Sequence, residues 1–320
     1  MPFPVSGSPY AGANPSPAYT GVFIPALWSG KLIEKFYDAT VLAAIANTDY
    51  EGEIRNQGDT VKIRTKPSIT IRDYEANQSL LVERPSRGLV ELLIDRGNDW
   101  NTVLDDVMEV QSDLDLMSMW ADDASEQMKI VIDTDVLDSI STDIVAENKG
   151  ISAGRISGNL NLGAAGAPIE LVARNPQSSE TEVTDLIIRM GQALDEQNIP
   201  ESGRWLILPA WMLAMIKRSE LRDASLAGDS VSISRNGRVG MIDRFTLYMS
   251  NLLPTIDDSG GDIWQVFAGH SHGLTFASQL TKVETLRAES TFGTLMRGLQ
   301  VYGHKVVDGT ALVEANVVSA

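Results

Sequence analysis

Between Thr102 and about Ile140 the chain contains neither Gly nor Pro. Within that stretch Val103, Val107, Val110, Leu114, Met117, Ala121, Ala124, Met128 and Val131 alternate steps of four and three. This is one apolar stripe of nearly helical period, and it predicts a single long helix. Thr102 followed by Asp105 has the spacing of a capping box, and Asp105, Asp106 and Glu109 suit the positive end of a helix dipole. About 38 residues at 1.5 Å each reach ~57 Å, whereas a compact sphere of this size is about 50 Å across. Such a helix implies a flattened or elongated molecule.

The opposite face of the stretch carries Asp113, Asp115, Asp122, Asp123, Glu126, Asp133 and Asp135, which reads as a solvated face. A coiled-coil strand fits less well. The seam mixes Ala and Met, and Leu116, Met119 and Trp120 widen the apolar surface. The expectation is a helix lying across a sheet. The acidity is concentrated here: residues 101–149 hold thirteen acids against two bases, whereas residues 51–96 hold eight of each. With a net charge of -17 for the whole chain, a nucleic-acid reader is disfavoured, because phosphate binding rests on Lys and Arg.

A second pattern lies upstream in GDTVKIRTKPSITIRDY. Val61, Ile63, Thr65, Pro67, Ile69 and Ile71 alternate with Lys62, Arg64, Lys66, Ser68, Thr70 and Arg72, which predicts one unusually long strand with an apolar and a basic face. Pro67 cannot donate to a ladder and favours an edge. Gly88 to Ile94 supplies a returning strand, so a hairpin is expected from about Asn47 to Gly97. A hairpin alone is marginal in water and needs a surface from elsewhere.

The remaining segments are shorter. Residues 1–22 hold five prolines among Gly and Ser and read as an extended arm. An amphipathic helix is expected from about Ala26 to Tyr37. After the long helix, GISAGRISGNLNLGAAGAP reads as a linker. Ser179 and Glu182 suggest another capping box, opening a helix with Val183, Leu186, Ile187, Met190 and Leu194 on its apolar side. GRWLILP reads as a strand, AWMLAMIKRS as a helix, NGRVGMIDRFTLYMSNLLP as strands about a turn, and DIWQVFAG, GLTFASQ and the C-terminal stretch as further strands. No 20- to 50-residue repeat is visible.

Few residues point to chemistry. With no cysteine there are neither disulfides nor thiolate metal sites. No basic n-region or apolar run long enough for a signal peptide or membrane span is present, so a soluble protein is expected. The common phosphate-loop, dinucleotide, nucleophile-elbow, zinc-protease and calcium-loop signatures are absent from the sequence. His270 and His272 in GHSHG would need a third ligand to hold a metal, and they read as loop histidines; His304 is the only other histidine. No catalytic residue, cofactor or metal site is expected, and the chain does not read as an enzyme.

The order of these elements resembles the major capsid protein of tailed bacteriophages, an α+β chain of the Hong Kong 97-type fold. IANTDYEGEIRNQGDTVKIRTKP resembles that family's extended-loop entrance. NGRVGMIDRFTLYMSNLLP is similar to its recurrent strand pair, and FASQLTKVETLRAESTFGTLMRGLQVYGHKVV to its C-terminal strands. The resemblance runs from about Phe23 to Val318. It implies an N-terminal arm over 1–22, a short helix and entry over 23–46, an extended loop over 47–100, a spine helix of a peripheral domain over 101–150, a mainly axial domain over 151–275, and completing strands over 276–320.

It also implies a virion protein, assembled in the host cytoplasm into hexamers and pentamers of an icosahedral shell that encloses DNA without reading its sequence. The extended loop would lie over a neighbouring subunit, through Val61, Ile63, Ile69 and Ile71 on one face and Lys62, Arg64, Lys66 and Arg72 on the other. Cross-linking through Lys62 or Lys66 is not assigned; ion pairs are expected. The chain begins almost at the arm, so a separate scaffolding protein is expected, with a portal and possible decoration proteins and no membrane partner. An encapsulin-like nanocompartment shell is the alternative within the fold, and a small soluble hydrolase the alternative outside it.

Overall fold

The computed structural model describes residues 37–49 except 39, 60–64, most of 69–84, 88–106, 115–219, 240–257, 261–289 and 292–319. The chain divides into two compact units, residues 1–35 and 36–320, and every described residue lies in the second. The expected arm, nearly all of the expected helix ending at Tyr37, Lys66, Pro67 and the opening NGRV of NGRVGMIDRFTLYMSNLLP lie outside the described residues.

A mixed eight-stranded sheet forms the larger layer. It uses β4 (Ile169–Val172), β5 (Glu180–Glu182), β6 (Arg204–Leu208), β7 (Met241–Ile242), β8 (Phe245–Met249), β9 (Thr255–Ile256), β10 (Ile263–His270) and β13 (Leu312–Ser319). Their order is β5-β4-β13-β10-β6-β8-β7, with β9 pairing β10. All five residues of β6 are buried, as expected of a strand covered on both faces. Leu206 and Leu208 point into one core with Val266, Ala268, Val313 and Ala315, where helices α3 (Val183–Glu196) and α4 (Ala210–Arg218) pack. Trp205 and Ile207 point into the other core with Phe267 and Leu312, where α1 (Leu42–Ile45) and α2 (Leu116–Asp143) pack.

The second layer is a three-stranded antiparallel sheet in the order β11-β12-β3, from β11 (Leu274–Arg287), β12 (Gly293–Val306) and β3 (Arg96–Asp105). On its flank sits a hairpin of β1 (Thr60–Arg64) and β2 (Leu89–Leu93), in register from Thr60 opposite Leu93 to Arg64 opposite Leu89.

Several expectations are corrected. The long helix does not begin at Thr102: residues 96–105 form β3, held by ten register partners along β12, so Thr102 and Asp105 are strand residues. Helix α2 instead starts after Asp115, whose carboxylate accepts from Ser118 N at 3.2 Å. Its 28 residues rise about 42 Å. Its apolar stripe also changes phase. Val131 is 50% exposed, whereas Ile132, Val136 and Ile140 are buried, because a strict 3.5-residue row drifts about 20° per heptad around a 3.6-residue helix.

Of the strand expected through Ile71, Thr60–Arg64 form β1 and the described residues of 69–74 are not in a strand. Ser179 is not the N-cap of α3. The N-cap of α3 is Glu182 without a side-chain cap bond, and that carboxylate instead accepts from Asn175 N at 3.2 Å. The described turn between β7 and β8 is Asp243–Arg244, both at positive φ (45° and 68°), the pairing that right-handed strand twist favours in a two-residue loop. The expected linker after α2 is ordered: Ala153 and Leu160 exchange backbone hydrogen bonds, and both are buried with Leu162 in the α3 core.

Candidate functional site: an assembly surface

The hairpin has two unlike halves. At its root Val61 faces Leu92 and Ile63 faces Val90 across the ladder. These side chains close a small core with Ile94 and Ala277 of the same subunit, and Val61 and Ile63 are only 9% and 6% exposed. Farther along the same alternation Ile69 is 64% and Ile71 90% exposed, and beyond it Tyr74 is 75% and Val82 91% exposed. Thr70 and Glu83 bridge this extension, Thr70 Oγ1 donating to Glu83 at 3.3 Å. The expected apolar face is thus divided, with Val61 and Ile63 occupied at home and Ile69 and Ile71 open.

The basic face is open throughout its described length. Lys62, Arg64 and Arg72 are exposed. Lys62 Nζ lies 3.3 Å from Glu91 within the hairpin, with both side chains more than half exposed, a pair worth about 0–1 kcal/mol.

The acidic helix is not uniformly solvated. Asp122 is exposed and Glu126 pairs with Lys129 at 2.6 Å, but Asp133 is 4% exposed and accepts from the backbone amides of Val41 and Leu42. Burial pushes its carboxyl up, against those two amides. Asp135 bonds Arg96 of β3 and accepts from Tyr302 Oη at 2.8 Å. Burial opposes its ionisation, yet the bonds to Arg96 and Tyr302 hold it below its ordinary value. Burial and Asp135 together push the Tyr302 phenol up to about 12. These contacts fasten α2 onto the three-stranded sheet, and Lys305 to Asp143 at 2.7 Å adds a third tie.

A cleft of about 330 Å³ opens beside this network, between Leu93, Ser139, His304 and Lys305. Ser139 Oγ touches His304 Nε2 and donates to Val136 O. Burial and the nearby Arg96 lower His304 to about 4, so the ring is neutral at pH 7, and its Nδ1 is buried without a partner. Among the described residues no carboxylate accepts from that ring, as one would in a Ser-His-Asp arrangement. His270 closes β10 and His272 follows in the turn, its amide donating to His270 Nδ1 at 3.1 Å. Among the described residues no three His, Asp or Glu side chains converge as a metal set.

Sequence reasoning missed Arg96, Asp133, Tyr302 and Arg204 as organising residues. Arg204, with a fully buried side chain, bonds Asp195 Oδ1 at 2.7 Å and the carbonyls of Ile199 and Pro200. A charged residue opening an apolar strand, with an acid nine positions before it, was the only signal available.

Residues 101–315 match the family model described as phage capsid protein. No curated protein matches the chain. Among solved structures, one from Mycobacterium phage Che8 is 27% identical with a TM-score of 0.71, covering 93% of this chain and 98% of that one. The capsid of the cyanophage P-SCSP1u is 14% identical with a TM-score of 0.70, over 93% and 94%. The mature capsid of bacteriophage PhiM1 is 12% identical with a TM-score of 0.67, over 98% and 100%. The last two speak to the fold alone. The family match favours a phage capsid over the nanocompartment and hydrolase alternatives.

Proposed function

The chain belongs to the phage capsid protein family, and we propose from that premise how it builds a shell. It is a major capsid protein and a component of the virion. In this reading hexamers and pentamers form when the hairpin extension, residues 65–88, leaves its own subunit and lies on a neighbour. The carrying observation is the break in exposure along one alternation, from 9% and 6% at Val61 and Ile63 to 64% and 90% at Ile69 and Ile71. Apolar side chains so exposed on a narrow extension are the mark of a surface that is covered in the assembled state.

Lys62, Arg64, Lys66 and Arg72 then meet carboxylates of the same or adjacent subunits, with the exposed half of α2 as the complement. The hairpin, the three-stranded sheet and α2 correspond to the peripheral domain, and the eight-stranded sheet with α3 and α4 to the axial domain. The role is structural rather than enzymatic. An acidic wall repels phosphate and lets enclosed DNA slide during filling, and a scaffolding protein, a portal and decoration proteins are the further partners this role calls for.

The test compares wild type with Ile71→Asp/Val82→Asp and with Lys62→Glu/Arg64→Glu/Arg72→Glu. Both variants should keep wild-type circular dichroism and melting while sedimenting as subunits or capsomers that do not close. Normal shells from the Asp variant would refute docking by the extension. Normal shells from the Glu variant would show that the basic face is only solvated.

A further inference from the structure

Helix α1 has four residues and opens at Val41, whose side chain cannot accept a hydrogen bond. Its first amides are capped from another element: Asp133 Oδ2 accepts from Val41 N at 2.6 Å and from Leu42 N at 3.2 Å. A buried carboxylate is costly unless it is hydrogen-bonded, so these amides account for its place in α2. Asp135, two positions on, faces away and is engaged by Arg96 and Tyr302.

Contacts on either side continue the same line. Upstream, Tyr37 Oη donates to Asp123 Oδ1 at 2.8 Å. Downstream, Asn47 N donates to Leu274 O at 2.8 Å and Phe276 N to Asn47 O at 3.0 Å, joining the edge of β11. From Asp123 to Asp133 the helix rises about 15 Å, and the four-residue step from Tyr37 to Val41 can span up to about 14 Å. The chain therefore runs beside α2 in the same direction. Between the anchors, Val41, Leu42 and Ile45 share a core with Ile132, Val136, Leu137 and Ile140.

We infer that residues 37–47 are a strap binding α2 to the start of β11, and that Asp133 is its latch. The carboxylate fixes the start of α1 against α2, and its removal frees the strap without opening the eight-stranded sheet. An Asn of the same shape accepts more weakly and must bury an NH2 group.

Hydrogen exchange read by mass spectrometry on the full chain tests this, with Asp133→Ala, Asp133→Asn and, on the exposed side of the same helix, Asp138→Asn. Amides in 41–46 should exchange roughly 10- to 100-fold faster in Asp133→Ala and several-fold faster in Asp133→Asn. Peptides from β6 and α3 should be unchanged in both, and Asp138→Asn should match wild type throughout. Unaltered exchange at 41–46 in either Asp133 variant overturns the latch. Equal loss of protection in β6 and α3 overturns it too, because Asp133 would then be a general core residue. Should Asp133→Ala fail to fold, Asp133→Asn alone decides between these outcomes.

Discussion

Gly303→Ala should lift the hairpin root off its own sheet. Gly303 lies in β12 opposite Ala277, where the backbone of β2 leads into β3. A Cβ there would lie 2.9 Å from the Leu93 carbonyl carbon and 3.0 Å from the Ile94 Cα, and nearer still to the Leu93 carbonyl oxygen. Carbon contacts are comfortable at about 3.5–4.0 Å, and all three atoms are backbone, so no side chain can rotate away. The root must retreat by roughly 1 Å, and overpacking of this kind costs about 1–3 kcal/mol. Separation of Val61, Ile63, Leu92 and Ile94 from Ala277 brings the total to about 2–4 kcal/mol, or roughly 5–10 °C in Tm for a unit of this size. Calorimetry measures the shift, and electron microscopy of the assembly reaction reports whether a misplaced root lowers the yield of shells. A Tm within about 1 °C of wild type with normal shells would refute the seating of the hairpin on β12.

Three further outcomes are expected. Glu196 accepts from Ile156 N at 2.7 Å and Ser157 N at 3.1 Å; burial alone would raise its carboxyl, but these amides with Gln192 and Ser157 hold it at about 2 against an ordinary 4.5. A depressed folded value contributes stability above pH 4.5 that is lost as pH falls toward 2, about 1 kcal/mol after allowance for exposure, so Glu196→Gln should flatten the acid limb of the stability profile; an unchanged limb would count against the contact. Arg96→Ala and Asp135→Asn should each cost about 1–2 kcal/mol in urea unfolding and combine to less than their sum, because they cut one network; strict additivity would deny the coupling. Val131→Asp should change subunit stability by less than about 0.5 kcal/mol while Ile132→Asp costs more than about 3 kcal/mol, and the reverse order would refute the phase of α2.

Legibility followed how far a residue's own sequence neighbours decide its state. Helix α3 was readable because Val183, Leu186, Ile187, Met190 and Leu194 keep helical spacing and all are buried. Strand β6 was readable as a short apolar run between a Gly and a Pro. Strand β3 was not, because Gly97, Asn98, Asp99 and Asn101 are poor strand formers and its state is imposed by pairing with β12. That misreading moved the helix start, since nothing between Thr102 and Leu116 breaks a helix. The hairpin was legible as an alternation, but the alternation does not say where cover ends: Ile63 and Ile71 read alike and differ only because β12 and Ala277 lie beneath the root. Asp133 stood among thirteen acids of one segment, and a cap supplied from 91 residues away leaves no local signature.

Cryo-electron microscopy of particles assembled from this chain tests the central claim most directly. The account predicts closed icosahedral shells in which Ile71 and Val82 are buried against an adjacent subunit while Val61 and Ile63 remain on their own. Shells in which residues 65–88 fold back on their own subunit, or a chain that stays monomeric at every concentration, would contradict it.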